Sequence, residues 1–118
     1  MKNIKDFIWK EINQIQSEKE NYDPVILAEH LITLSALYGN LTQHIADLEH
    51  QYQCVLKLAI DQDPEKPYSK IESLAKSGDE YYKLKQAQGM EKTLIETIRS
   101  IKKYIAIKQH EYETSSNL

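Results

Sequence analysis

Leu27, Leu34, Leu41, Leu48 and Val55 recur at seven-residue intervals, and Leu31, Tyr38, Ile45, Tyr52 and Ala59 repeat that interval four residues later. Apolar positions spaced alternately by four and three residues are the a/d pattern of a helix seamed against partner helices. Five consecutive heptads predict one helix over 24–60. Asp23-Pro24 marks its start, because a carboxylate caps free N–H groups and proline at the first helical position gives up a donor that has no partner there. Gly39-Asn40 is the one place where this helix would break. The register passes through Tyr38 and Leu41 in phase, with Gly39 at an outward b position, so a continuous helix with room for a kink is expected.

A shorter helix is expected over 4–19. Ile4, Phe7, Ile8, Ile12 and Ile15 form its apolar stripe, Trp9 falls at the stripe's edge, and Asn3 with Asp6 suits the positive helix start. Asp61-Gln62-Asp63-Pro64-Glu65-Lys66-Pro67 breaks the pattern, since two prolines so close cannot both sit inside a helix. Ser69 and Glu72 then form a capping box for a third helix over 69–112. Its seam runs through Ile71, Leu74, Gly78, Tyr81, Ala87, Leu94, Ile98, Ile101, Ile105 and Tyr112, slipping between Tyr81 and Met90 as in a stutter. Residues 113–118 read as a frayed tail.

The pattern predicts an all-α fold in a single domain, 1–118: a long antiparallel, coiled-coil-like helical hairpin plus a shorter N-terminal helix, three helices in all. The first helix is less than half as long as the hairpin arms and would leave apolar seam uncovered, which predicts a homo-oligomer, most simply a dimer. Tyr38 and Tyr52 at a positions disfavour a parallel two-stranded zipper.

Composition narrows this picture. Three Gly and three Pro in 118 residues leave little material for loops, and eight Tyr against one Phe and one Trp predict a thin core with half-exposed side chains. A net charge of −3 gives no overall nucleic-acid signature. The single cysteine, Cys54, excludes an internal disulfide and suits a reducing compartment. The N-terminus gathers charge too early for a signal peptide, and no apolar run reaches the ~20 residues of a membrane span. Cytoplasmic localisation without membrane association is expected.

Charge is unevenly placed. Residues 23–63 hold six acidic side chains and one basic, whereas 83–108 hold seven basic and two acidic. This fits electrostatic matching of neighbouring antiparallel helices, with local i,i+4 pairs such as Glu72–Lys76 and Asp79–Lys83. Lys85, Lys92 and Arg99 also recur every seven residues, with Lys102 and Lys103 beyond them. Such a stripe is either a solvated helix face or a track for an anionic partner, including nucleic acid. No aromatic residue interleaves with it, so base stacking is not indicated.

Asp47-x-x-His50 has the spacing of a metal-ligating helical element, but such sites need a second copy and further carboxylates, and both residues fall at outward positions. Cys54 has no basic neighbour fixed by sequence to activate it. Three isolated glycines make no phosphate-binding loop. No catalytic residue, metal site or cofactor is expected, and the chain does not read as an enzyme.

The stretches Glu80-Tyr81-Tyr82-Lys83-Leu84-Lys85-Gln86-Ala87, Leu94-Ile95-Glu96-Thr97-Ile98-Arg99-Ser100-Ile101-Lys102 and Leu34-Ser35-Ala36-Leu37-Tyr38-Gly39-Asn40-Leu41 resemble small all-helical accessory proteins of bacteriophages and prophages. The resemblance implies a short protein that acts by binding in the cytoplasm of a bacterial host. The expected partner is a host or phage nucleoprotein complex. The alternatives are a nucleic-acid-associated replication or recombination factor and a virion assembly protein.

Overall fold

The computed structural model describes residues 4–18 and 24–116. Asn3 and Asp23, expected as helix caps, lie outside them, as do the break after the first helix and the side chain of Tyr112. The described chain is all-α. It has four helices rather than three: α1 (Ile4–Glu18), α2 (Pro24–Gln62), α3 (Tyr68–Lys76) and α4 (Asp79–Ser116).

Two corrections concern the expected third helix. The first is its start. Pro67 is the N-cap of α3, with no side-chain cap, and its carbonyl receives the N–H groups of Lys70 and Ile71. Ser69 is therefore already inside the helix, and the capping box does not form. Glu72 instead accepts from Lys76 one turn on, at 3.3 Å. The second is the break at Ser77-Gly78. The Ser77 and Gly78 N–H groups bond to the carbonyls of Leu74 and Ala75, three residues back, and the Ser77 hydroxyl also bonds to Leu74 O at 2.6 Å. Tightened three-residue bonds end α3. The Gly78 carbonyl then receives Tyr82 N–H and opens α4, whose first turn carries Asp79 and Glu80. Those two charges suit the positive end of a new helix rather than a helix interior. α4 continues through Ser116, past the expected end at 112.

The chain forms two compact units, 1–40 with 91–118 and 41–90. In the first, Ile8, Ile12 and Ile15 of α1 are buried together with Leu27 and Leu34 of α2 and Leu94 and Ile101 of α4. His30 Nδ1 donates to Glu11 Oε1 and ties α1 to α2, with the two side chains 14% and 17% exposed. In the second, Leu41, Leu48, Tyr52 and Leu56 of α2 are buried with Ile71 and Ala75 of α3 and Leu84, Ala87 and Met90 of α4. Tyr52 and Tyr81 meet with ring centroids 5.2 Å apart.

Each unit is thus built from three helices. The sequence left part of the α2 seam without a cover; α3 supplies it in the second unit. The seam itself is asymmetric. Leu27, Leu34, Leu41 and Leu48 are buried, whereas Leu31, Tyr38, Ile45 and Val55 are half-buried. Beyond Leu48 the buried line passes to Tyr52 and Leu56, so the strict heptad gives way to four-residue steps. Leu74, placed on the seam by sequence, is exposed, and Ala75 is buried instead.

α2 is also the most apolar helix of the chain. It holds an 18-residue window of mean hydropathy 1.2 with at most two charged residues, long and apolar enough to cross a membrane by length and composition.

α2 is continuous through Gly39. No described glycine has a positive φ, and a Cβ on Gly39 would meet nothing within 4 Å. An alanine there restricts the unfolded chain without cost to the folded one. Gly39→Ala is expected to stabilise the protein by about 0.5–1 kcal/mol, seen as a rise of a few degrees in Tm.

Candidate functional site

Of the five cations of the α4 stripe, Lys85 belongs to the second unit and Lys92, Arg99, Lys102 and Lys103 to the first. All are exposed, and none has a carboxylate partner among the described residues. The expected Asp79–Lys83 pair is not formed either. The basic segment is therefore not neutralised by ion pairing with acidic α2.

In the second unit, Lys85 sits over the Tyr81 ring at 5.3 Å and Lys76 approaches the same ring at 5.8 Å. Lys85 is thus held by an aromatic face. Around it, Glu72 raises two titrations on α3. A hydrogen bond to Glu72 pushes the Tyr68 hydroxyl above its ordinary value, and a hydrogen bond to the same carboxylate raises Lys76. Both shifts hold protons on the folded chain, so the small support they give is present below the ordinary tyrosine and lysine values and is lost as pH rises through the raised ones.

In the first unit, Arg99 and Lys102 are brought together. They lie three residues apart on α4, hence on one face, and line an open cleft of about 290 Å³ with Ile95, Ile98 and, from α2, Ser35 and Tyr38. The sequence showed no aromatic side chain along the stripe; the fold supplies Tyr38 from another helix. Lys92 and Lys103 do not line this cleft. A second cleft, of about 430 Å³, is lined by Ile15, Leu27, Ile101 and Tyr104 together with Glu96 and Thr97. The Thr97 hydroxyl is bonded to Thr93 O at 2.8 Å.

The remaining candidates line neither cleft. Asp47 accepts from Gln43 Nε2 at 3.1 Å, and His50 Nε2 lies 3.7 Å from Cys54 Sγ, so each is engaged along the exposed side of α2. Cys54 does have a histidine beside it, one turn back, a neighbour missed by looking only at adjacent residues. Among the described residues no three His, Cys, Asp or Glu side chains converge as a metal site would require.

Of the helix-seam residues, Leu31, Tyr38, Ile45 and Val55 are half-buried. Leu27, Leu34, Leu41, Leu48 and Tyr52 are covered by the chain itself. The large apolar side chains on the outside are others: Phe7, Trp9, Val25, Ile26, Ile32 and Ile107 in the first unit, and Leu58, Tyr68, Leu74 and Tyr82 in the second. Their signal in the sequence was surplus hydrophobicity, apolar residues beyond what one helical stripe needs. No family model matches the chain, and no curated protein or solved structure matches it.

Proposed function

We propose that this chain is a non-enzymatic accessory protein that acts by binding another protein, of the kind that bacteriophages or prophages encode to modulate a host or phage nucleoprotein complex. The observation that carries the reading is the excess of apolar surface. Ile32 is 71% and Val25 67% exposed on α2, seven residues apart with the exposed Glu29 between them, while Phe7 is 50% exposed on α1. Isolated exposed apolar residues are ordinary, but side chains of this size on neighbouring elements are the material of contact surfaces. A second copy of the chain, paired as a dimer of antiparallel hairpins, is one such contact. The reading keeps the protein in the cytoplasm, with the apolar face of α2 turned to protein.

A nucleic-acid-associated role is the second reading, favoured by the cations at Lys85, Lys92, Arg99, Lys102 and Lys103, which pair with no carboxylate among the described residues. Salt separates the two. Phosphate binding weakens steeply with salt, while an apolar helix interface does not. Affinity capture from the bacterial cells that carry the gene, washed at high salt and identified by mass spectrometry, is expected to recover one principal protein. Recovery of none, together with a salt-sensitive mobility shift on DNA, would reverse the choice. Recovery of capsid or tail components would point to virion assembly.

A further inference from the structure

We infer that the cleft between Ser35 and Tyr38 of α2 and Arg99 and Lys102 of α4 is a docking site for an acidic segment of a partner protein, one that carries a carboxylate beside an apolar side chain.

Charge complementarity carries the inference. The two cations project from one face of α4, and the cleft has no acidic residue in its lining. The facing helix offers none nearby, since residues 30–46 contain neither Asp nor Glu. Glu96, one turn before Arg99, lines the other cleft. Two positive side chains with an unmet charge requirement therefore meet at one concave place. Arg and Lys at i,i+3 can share a carboxylate, the Arg through paired N–H donors.

The floor sets the class of partner. Ile95, Ile98 and Tyr38, all half-buried, line the cleft together with the two cations. A phosphate backbone would use the cations and leave that floor empty. An acidic peptide fills both, with its carboxylate on Arg99 and Lys102 and its neighbouring apolar side chain on the isoleucines and the tyrosine. Tyrosine beside arginine is also the composition enriched at protein contacts. Lys92 and Lys103 lie outside this cleft, so the recognised anion is short rather than a tracked polymer.

The inference rests on the protein-binding reading above, and its test is separable from it. The probe is a fluorescein-labelled, flexible peptide of repeated Glu-Leu-Gly, followed by fluorescence polarisation with the full chain. Controls are the same peptide with Leu replaced by Gly and a single-stranded oligothymidine. Arg99→Gln with Lys102→Gln is expected to weaken binding of the Glu-Leu-Gly peptide roughly tenfold or more, while Lys92→Gln with Lys103→Gln changes it less than about twofold. The leucine-free peptide should bind more weakly than the parent. All four side chains are exposed, so both double variants should keep the circular dichroism and Tm of the parent.

Equal loss in the two double variants would overturn the inference, as would no binding of the peptide. Tighter binding of oligothymidine, lost in both variants, would also overturn it and favour nucleic acid. If a captured cellular partner binds Arg99→Gln/Lys102→Gln as well as the parent, the cleft assignment falls and the protein-binding role stands. If the peptide binds through Arg99 and Lys102 but no cellular protein is captured, the cleft stands and the broader role falls.

Discussion

Leu34→Ala is expected to lower stability by about 3 kcal/mol and Tm by roughly 10–15 °C, while Ile32→Ala, two residues away on the same helix, changes stability by less than about 0.5 kcal/mol. Both residues are four-carbon aliphatic side chains in α2, and composition alone gives no reason to treat them differently. Their environments are opposite: Leu34 is fully buried and Ile32 is 71% exposed. Truncating Leu34 removes three carbons from a site closed by α1 and α4, so the lost transfer energy is compounded by the cavity left behind. Truncating Ile32 removes surface already in water and slightly improves helix propensity. Leu94, also fully buried in the same unit, should behave as Leu34 does. Chemical denaturation of the three variants measures this directly. A cost for Ile32→Ala equal to that of Leu34→Ala would mean that the outward face of α2 is itself packed, either by a second copy or by a different arrangement of the helices.

That contrast also shows how far the fold was legible. The seven-residue spacing of Leu27, Leu34, Leu41 and Leu48 identified the buried line because a helix face repeats almost every two turns, and no competing signal crosses it. The second line, Leu31, Tyr38 and Ile45, is only half-buried, since in a three-helix unit the rim positions are shared with water. At its end the seam broadens. Val55 continues the heptad, but Leu56 is buried, because a straight α-helix drifts from a seven-residue repeat and the next helix to pack there is α3.

The break at Ser77-Gly78 was hidden for a similar reason. Gly78 fell in phase with Ile71 and Tyr81, and its role as a boundary depends on Ser77 bonding back to Leu74 rather than on spacing. Asp79-Glu80 was the available clue, two carboxylates that favour a helix start. Of the candidate site, the cations were visible as a periodic stripe. Which two of them converge was not, because Ser35 and Tyr38 reach them only through the packing of α2 against α4, some sixty residues away along the chain.

Ile12→Asp is expected to release α1 altogether while the second unit stays folded. Ile12 is 2% exposed, between the fully buried Ile8 and the buried Ile15, and a carboxylate placed there has no partner to offset its loss of hydration. α1 has 15 residues, a length at which an isolated helix is marginal in water, so its structure depends on docking. Amide exchange should therefore lose protection across 4–18 and fall partially over 24–40 and 91–116, where Leu27, Leu34, Leu94 and Ile101 lose their cover. Protection should persist across 41–90, whose buried set draws on α2, α3 and α4 and includes no residue of α1. Glu11→Ala tests the same docking more gently. It removes the acceptor of His30 Nδ1 at a part-buried position and should cost about 1–3 kcal/mol, read as faster exchange confined to α1 and its neighbours. Trp9, 39% exposed on α1, gives an independent optical signal, with emission moving to the red as the helix leaves. Uniform loss of protection from 4–18 through 41–90 in Ile12→Asp would show that the two compact units fold as one, because α2 and α4 run through both and would then transmit the failure of one core to the other.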